Sequence, residues 1–93
     1  MSMIRHVVMR GRVQGVGYRY AMTEVAETLG VTGWVRNRRD GTVEAVVQGE
    51  DALVDRLVAW CRRGPVGAEV TALAAEPHIV DAALEDFSPR PTA

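Results

Sequence analysis

The sequence contains no lysine: every one of its 11 Lys+Arg positions is arginine. A phosphate loop of the GxxxxGK[ST] type ends in a lysine that reaches the nucleotide, so ATP chemistry of that class is excluded. Any side-chain grip on a phosphate must then come from a planar, two-pronged guanidinium rather than an ammonium point charge. Cysteine is equally scarce. Cys61 stands alone, which rules out an internal disulfide, and without a CxxC or a clustered Cys/His spacing no metal site or cofactor is expected. Aromatics make up 5% of the chain, so its core must be aliphatic. Its longest unbroken apolar run, Leu57 to Cys61, is far too short to span a bilayer. The opening MSMIRHVVMRG is interrupted by Arg5 and His6 and does not read as a signal peptide, which makes the cytoplasm the expected location.

What is present is a sequence of 93 residues, suited to a single domain over 1–93 with one small core. With 47% hydrophobic and 25% charged residues it has the composition of an ordinary globular protein rather than a disordered or fibrous one. The net charge of -1 conceals an asymmetry. Residues 1–39 hold seven Arg against Glu24 and Glu27, about +5, whereas residues 40–93 hold four Arg against ten acids, about -6. The basic part is suited to drawing in a small anion.

Periodicity organises the chain. Met3 to Val13 alternates, with Met3, Val7, Met9 and Val13 on one side and His6, Arg10 and Arg12 on the other, the pattern of a half-buried strand. From Arg19 to Leu29 the period becomes helical, placing Met22, Val25, Ala26 and Leu29 on one face ahead of a C-cap at Gly30. Val31 to Asn37 and Thr42 to Gln48 flank the turn dipeptide Asp40-Gly41 and read as a hairpin. A second helix opens with Glu50-Asp51, carries the stripe Leu53, Leu57, Trp60 and Cys61, and stops at Gly64-Pro65. Val70 to Ala75 supplies a fourth strand, and a short piece around Ala83 to Phe87 is a candidate fifth. This β-α-β-β-α-β order predicts an α+β fold, a ferredoxin-like sandwich with two helices on one face of a mainly antiparallel sheet of four to five strands. Pro89 and Pro91 predict that 88–93 is a frayed tail.

The chemistry concentrates in GRVQGVGYR, Gly11 to Arg19, between the first strand and the first helix. Glycines let backbone amides turn inward, the helix start adds unpaired N–H groups, and Arg19 falls where a guanidinium can hold a phosphate. The rest of the fold's repertoire fits poorly. No aromatic platform for RNA lies on the central strands, no cysteine pair marks a metal carrier, and GxGxxG fails because Tyr20 stands where its last glycine would be. His6 and His78 read as strand or loop residues, Cys61 as a core thiol. Seen alone, Asn37 before Arg38-Arg39-Asp40-Gly41 is a turn former.

Together with GWVRN at Gly33 to Asn37 and DGTVE at Asp40 to Glu44, that stretch resembles the acylphosphatase family over most of residues 5–75. The resemblance implies hydrolysis of acyl phosphates, carboxyl-phosphate anhydrides, to carboxylate and inorganic phosphate without metal or covalent intermediate. It also implies a catalytic pair: Arg19, which binds the phosphate, and Asn37, which orients the attacking water. The loop Gln14, Gly15, Val16, Gly17, Tyr18 and Arg19 is expected to surround the phosphate, with Gln14 bracing it. Tyr18 replaces the common Phe, and Arg38 follows the asparagine, where it would add charge at the mouth. The expected enzyme is a monomer acting on a small acyl phosphate, with no nucleic-acid or membrane partner. The alternative is a non-catalytic anion- or acyl-phosphate-binding module on the same fold.

Overall fold

A computed structural model describes residues 1–80 and 83–93. Its elements run β1 (Ser2–Arg12), α1 (Tyr18–Leu29), β2 (Thr32–Asn37), β3 (Val43–Glu50), α2 (Asp51–Arg63), β4 (Glu69–Pro77) and β5 (Phe87–Pro89). The sheet order is β4-β1-β3-β2-β5, antiparallel except for the β2–β5 pair. Each β-α-β unit thus places its two strands apart in the sheet and its helix across one face, which is the ferredoxin-like α+β arrangement that the periodicities predict.

The core forms where apolar positions from the sheet and both helices meet. Val7, Met9 and Val13 project from or just beyond β1, Val43, Ala45 and Val47 from β3, Met22 and Ala26 from α1, and Val54, Leu57 and Cys61 from α2. Val54 takes a core position that the predicted stripe omits, while Leu53 and Trp60 pack only partly buried at its edge. Each fully buried aliphatic side chain of this kind is worth roughly 1.5–3 kcal/mol over exposure. Burial pushes the Cys61 thiol up to about 12, so it is a packing group rather than a nucleophile.

Tyr18 contributes more than a ring. Its side chain is buried, its edge faces Trp60, and its hydroxyl donates to the Cys61 carbonyl at 2.6 Å, tying the first turn of α1 to the last turn of α2. Burial holds the phenol well above its ordinary pKa, so the hydroxyl stays a donor. Tyr18→Phe is expected to keep the packing but lower the free energy of unfolding by about 1 kcal/mol, read from urea denaturation, with turnover unchanged.

The C-terminal residues depart from expectation. The fifth strand begins at Phe87, where the candidate piece was expected to end, and 88–93 does not hang free. Phe87 is buried, and the backbone N–H of Gly33 donates to Asp86 while Arg90 donates to Val35. The Ala93 N–H donates to the Asn37 carbonyl and the Arg39 N–H to the Ala93 carboxyl end, so the tail runs along β2 to its tip. Pro89 is tolerated because β5 is an edge strand, where a missing donor can face away from the ladder.

Gly11 also has a different task from the one expected of it. It lies at a register shift between β1 and β4 with φ 118°, where a Cβ would collide with the Glu69 carbonyl. It therefore lets β4 close against the end of β1 and does not belong to the ligand loop.

Candidate active site

Beyond β1 the chain turns through residues 13–17 and enters α1 on Gly17. Gly15 and Gly17 take φ 75° and 76°, and a Cβ on either would meet open space. These two positions need glycine for their left-handed backbone and leave nothing over the amides beside them. Gly17 is the N-cap of α1, no side chain caps the helix, and its first turn carries no acid. The first N–H groups of α1 thus lack the usual internal partner, and the positive end of the helix dipole is uncompensated.

The loop faces the far end of β2. Val13, Gly15, Gly17, Tyr18, Arg19, Tyr20 and Asn37 line a cleft of about 150 Å³ between them. Asn37 is the last residue of β2, paired with Val43 across the sheet, and its carbonyl is held by the tail. Among the described residues no protein group binds its carboxamide, and no carboxylate lies within 4.0 Å of the Arg19 guanidinium. Both side chains have hydrogen-bonding capacity left for a ligand.

The two arginines that flank Asn37 are spoken for. Arg36 donates from Nε to Glu44 at 2.6 Å, and Arg38 reaches the other Glu44 oxygen at 3.4 Å and Asp40 at 3.3 Å. Arg38 therefore does not add a free charge at the mouth, contrary to expectation. His6 Nε2 lies 2.7 Å from the same Glu44 oxygen that Arg38 approaches. Glu44, which the alternation of Val43, Ala45 and Val47 places on the outer face of β3, is only 8% exposed because these three side chains close over it. Burial alone would raise its pKa, but the hydrogen bonds from His6 and Arg36 hold it below the ordinary carboxylate value. Asp40 is held low by the Thr42 hydroxyl and amide, which it accepts at 2.6 Å and 3.0 Å to fix the hairpin turn.

The expected loop residues divide by role. Gly15, Gly17, Tyr18 and Arg19 line the cleft, whereas Gln14 and Val16 are not among its lining residues. Val16 packs against the core. The Gln14 side-chain amide donates to the carbonyls of Arg38, at 2.7 Å, and Thr42, at 2.9 Å, fastening the loop to the hairpin beside Asn37. Tyr18 turns its ring into the interior, leaving its backbone for a ligand. Tyr20 was not anticipated. Its signal was its place beside Arg19 on the helix side away from the Met22 and Ala26 stripe. Replacing Gln14 by Leu removes one donor from each of two carbonyls, which keep the backbone N–H groups of Gly41 and Arg38, and about 1 kcal/mol of stability should be lost in urea unfolding. Substrate KM should rise as loop and hairpin loosen.

Glycine loop, uncapped helix start, single unpaired guanidinium and neutral carboxamide around one small cleft define a ferredoxin-like α+β protein shaped for a compact anion. Comparison with known proteins narrows this class. The Acylphosphatase family model matches residues 5–89. A relative named acylphosphatase from Bordetella parapertussis is 52% identical over 83 residues, 89% of this chain and 88% of the relative. Among solved structures, the acylphosphatase from Coxiella burnetii superposes with a TM-score of 0.89 at 37% identity, over 96% of this chain and 93% of the other. That from Bacillus subtilis gives 0.90 at 30% identity, over 97% and 99%. The chain belongs to the acylphosphatase family, and its activity is the hydrolysis of acyl phosphates.

Proposed function

We propose that Arg19 and the backbone amides of the Gly15 to Arg19 segment hold the phosphate of the acyl phosphate, and that Asn37 places the attacking water. The observation that carries this reading is that the loop arginine and the strand-end asparagine line the same cleft. Phosphoryl transfer asks a protein mainly for positioning and charge stabilisation, because charge spreads over the equatorial oxygens while nucleophile and leaving group stand in line. Arg19 supplies the planar paired donors, and the amides add fixed dipoles. The Asn37 carboxamide oxygen accepts a hydrogen bond from the water, and its NH2 donates to a phosphate oxygen. The water oxygen bonds to phosphorus as the bond to the carboxyl oxygen breaks. The carboxylate leaves with that electron pair, and the water's proton passes to a phosphate oxygen of the substrate. Among the described residues no carboxylate or histidine lines the cleft, and the reaction written here calls for none.

This mechanism routes no step through a metal. Hydrolysis of a small acyl phosphate should be unaffected by a chelator and competitively inhibited by inorganic phosphate; loss of turnover on chelation would refute it. We further propose that residues 1–93 act as one domain and as a cytoplasmic monomer. No helix among the described residues is long and apolar enough to cross a membrane.

A further inference from the structure

We infer that Tyr20 is the acyl-group contact of this enzyme and selects flat, aromatic acyl moieties; this rests on the placement of the phosphate at Arg19. The two tyrosines that line the cleft are treated in opposite ways. Tyr18 is 2% exposed with its hydroxyl committed to Cys61, whereas Tyr20, two residues on, is 68% exposed. Among the described residues four large hydrophobics stand this far out, Met1, Tyr20, Val66 and Ile79, and of these only Tyr20 borders the cleft. A bare aromatic at the rim of a reaction site is surface available to a ligand.

The cleft's size decides which part of the substrate meets that surface. At about 150 Å³ it falls below the roughly 300 Å³ at which ordinary small-molecule pockets begin. With the phosphate seated at the loop, little room remains inside, and a bulky acyl group must lie across the rim. The other lining groups offer it nothing: Gly15 and Gly17 have no side chain, while Val13 and Tyr18 are 1% and 2% exposed. Arg19 and Asn37 are polar and engaged with phosphate and water. The ring of Tyr20 is the remaining apolar surface, and the Arg19 guanidinium carbon lies 5.9 Å from its centroid, so the ring is held next to the phosphate-binding cation. An aromatic acyl group attached through one carbonyl to that phosphate can reach the ring and stack on it. An acetyl group is too short to cover it.

The contact is made to a part of the substrate that does not react, so it binds ground state and transition state alike and appears in KM rather than kcat. Tyr20→Ala should raise the KM for benzoyl phosphate about 3- to 10-fold at unchanged kcat. Acetyl phosphate turnover and inhibition by inorganic phosphate should stay within about twofold of wild type. Tyr20→Phe, which keeps the ring, should behave as wild type on both substrates. Because the side chain is exposed, neither change should unfold the protein, which a melting curve checks. Equal losses on benzoyl and acetyl phosphate would mean that Tyr20 serves to position Arg19 and would overturn the assignment. No change on either substrate would overturn it as well, while leaving the Arg19 reading intact. An active Arg19→Ala enzyme, by contrast, would remove the phosphate placement itself.

Discussion

Arg19→Ala should lower kcat/KM for acyl phosphates by about 100- to 1000-fold, the usual cost of removing one positioned donor to developing charge. The expectation follows from how the basic residues are spent. Arg36 and Arg38 are engaged by Glu44 and Asp40, and the lining of the cleft contains one guanidinium, that of Arg19. Nothing else in the described lining can replace its charge, since the remaining donors are backbone amides, the Asn37 carboxamide and the Tyr20 hydroxyl, all neutral. Inhibition by inorganic phosphate should weaken together with turnover, because the same contact holds substrate and product. Arg19→Lys should recover little, as an ammonium keeps the charge but loses the planar fork. Steady-state kinetics with phosphate as inhibitor measures both effects; wild-type turnover in the alanine variant would show that the guanidinium has no part in the reaction.

Asn37→Ala should reduce kcat by about 100-fold while leaving the inhibition constant for phosphate nearly unchanged. The two proposed roles, anchoring the anion and placing the nucleophile, are thereby separable. Backbone structure should survive the change, because β2 is held at this point by its pairing with Val43 and by the Ala93 N–H on the Asn37 carbonyl, neither of which involves the side chain. If phosphate affinity fell as far as kcat, Asn37 would be a phosphate ligand and the water would need another partner.

The fold was legible because its signals are local. The change of period from two to about 3.6 at the glycine loop, the stop at Gly30, the Asp40-Gly41 turn and the Gly64-Pro65 stop each depend on neighbouring residues alone. The ends of the elements are close to those read from the sequence, with β3 beginning at Val43 and α2 at Asp51. The tail was misjudged for a reason that is not local. Pro89 forbids a central strand, but whether a strand is central depends on the sheet order, and β5 lies at the edge. Glu44 illustrates the same limit. Alternation sends it outward correctly, yet its burial comes from His6 on a neighbouring strand and from Arg36 and Arg38 on the hairpin.

The candidate site was legible in part. The resemblance of two separated motifs to a known family pointed to Arg19 and Asn37, 18 positions apart, and the fold brings both to one cleft. Which loop residues turn toward that cleft was not readable from composition. Gly11 resembles Gly15 and Gly17 in the sequence but is required by the close approach of β4, and the side chain of Gln14 spans to the hairpin. Tyr20 escaped notice because its place on the outer side of α1 is that of any solvated helix residue, and only the fold shows that this side borders the cleft.

The position of water's attack is open to direct measurement. When an acyl phosphate is hydrolysed by the wild-type enzyme in oxygen-18 water, a nucleophile placed by Asn37 against phosphorus puts one labelled oxygen into inorganic phosphate and none into the carboxylate. Label in the carboxylate would place the attack at the carbonyl carbon and contradict the arrangement of Arg19 and Asn37 around a reacting phosphate.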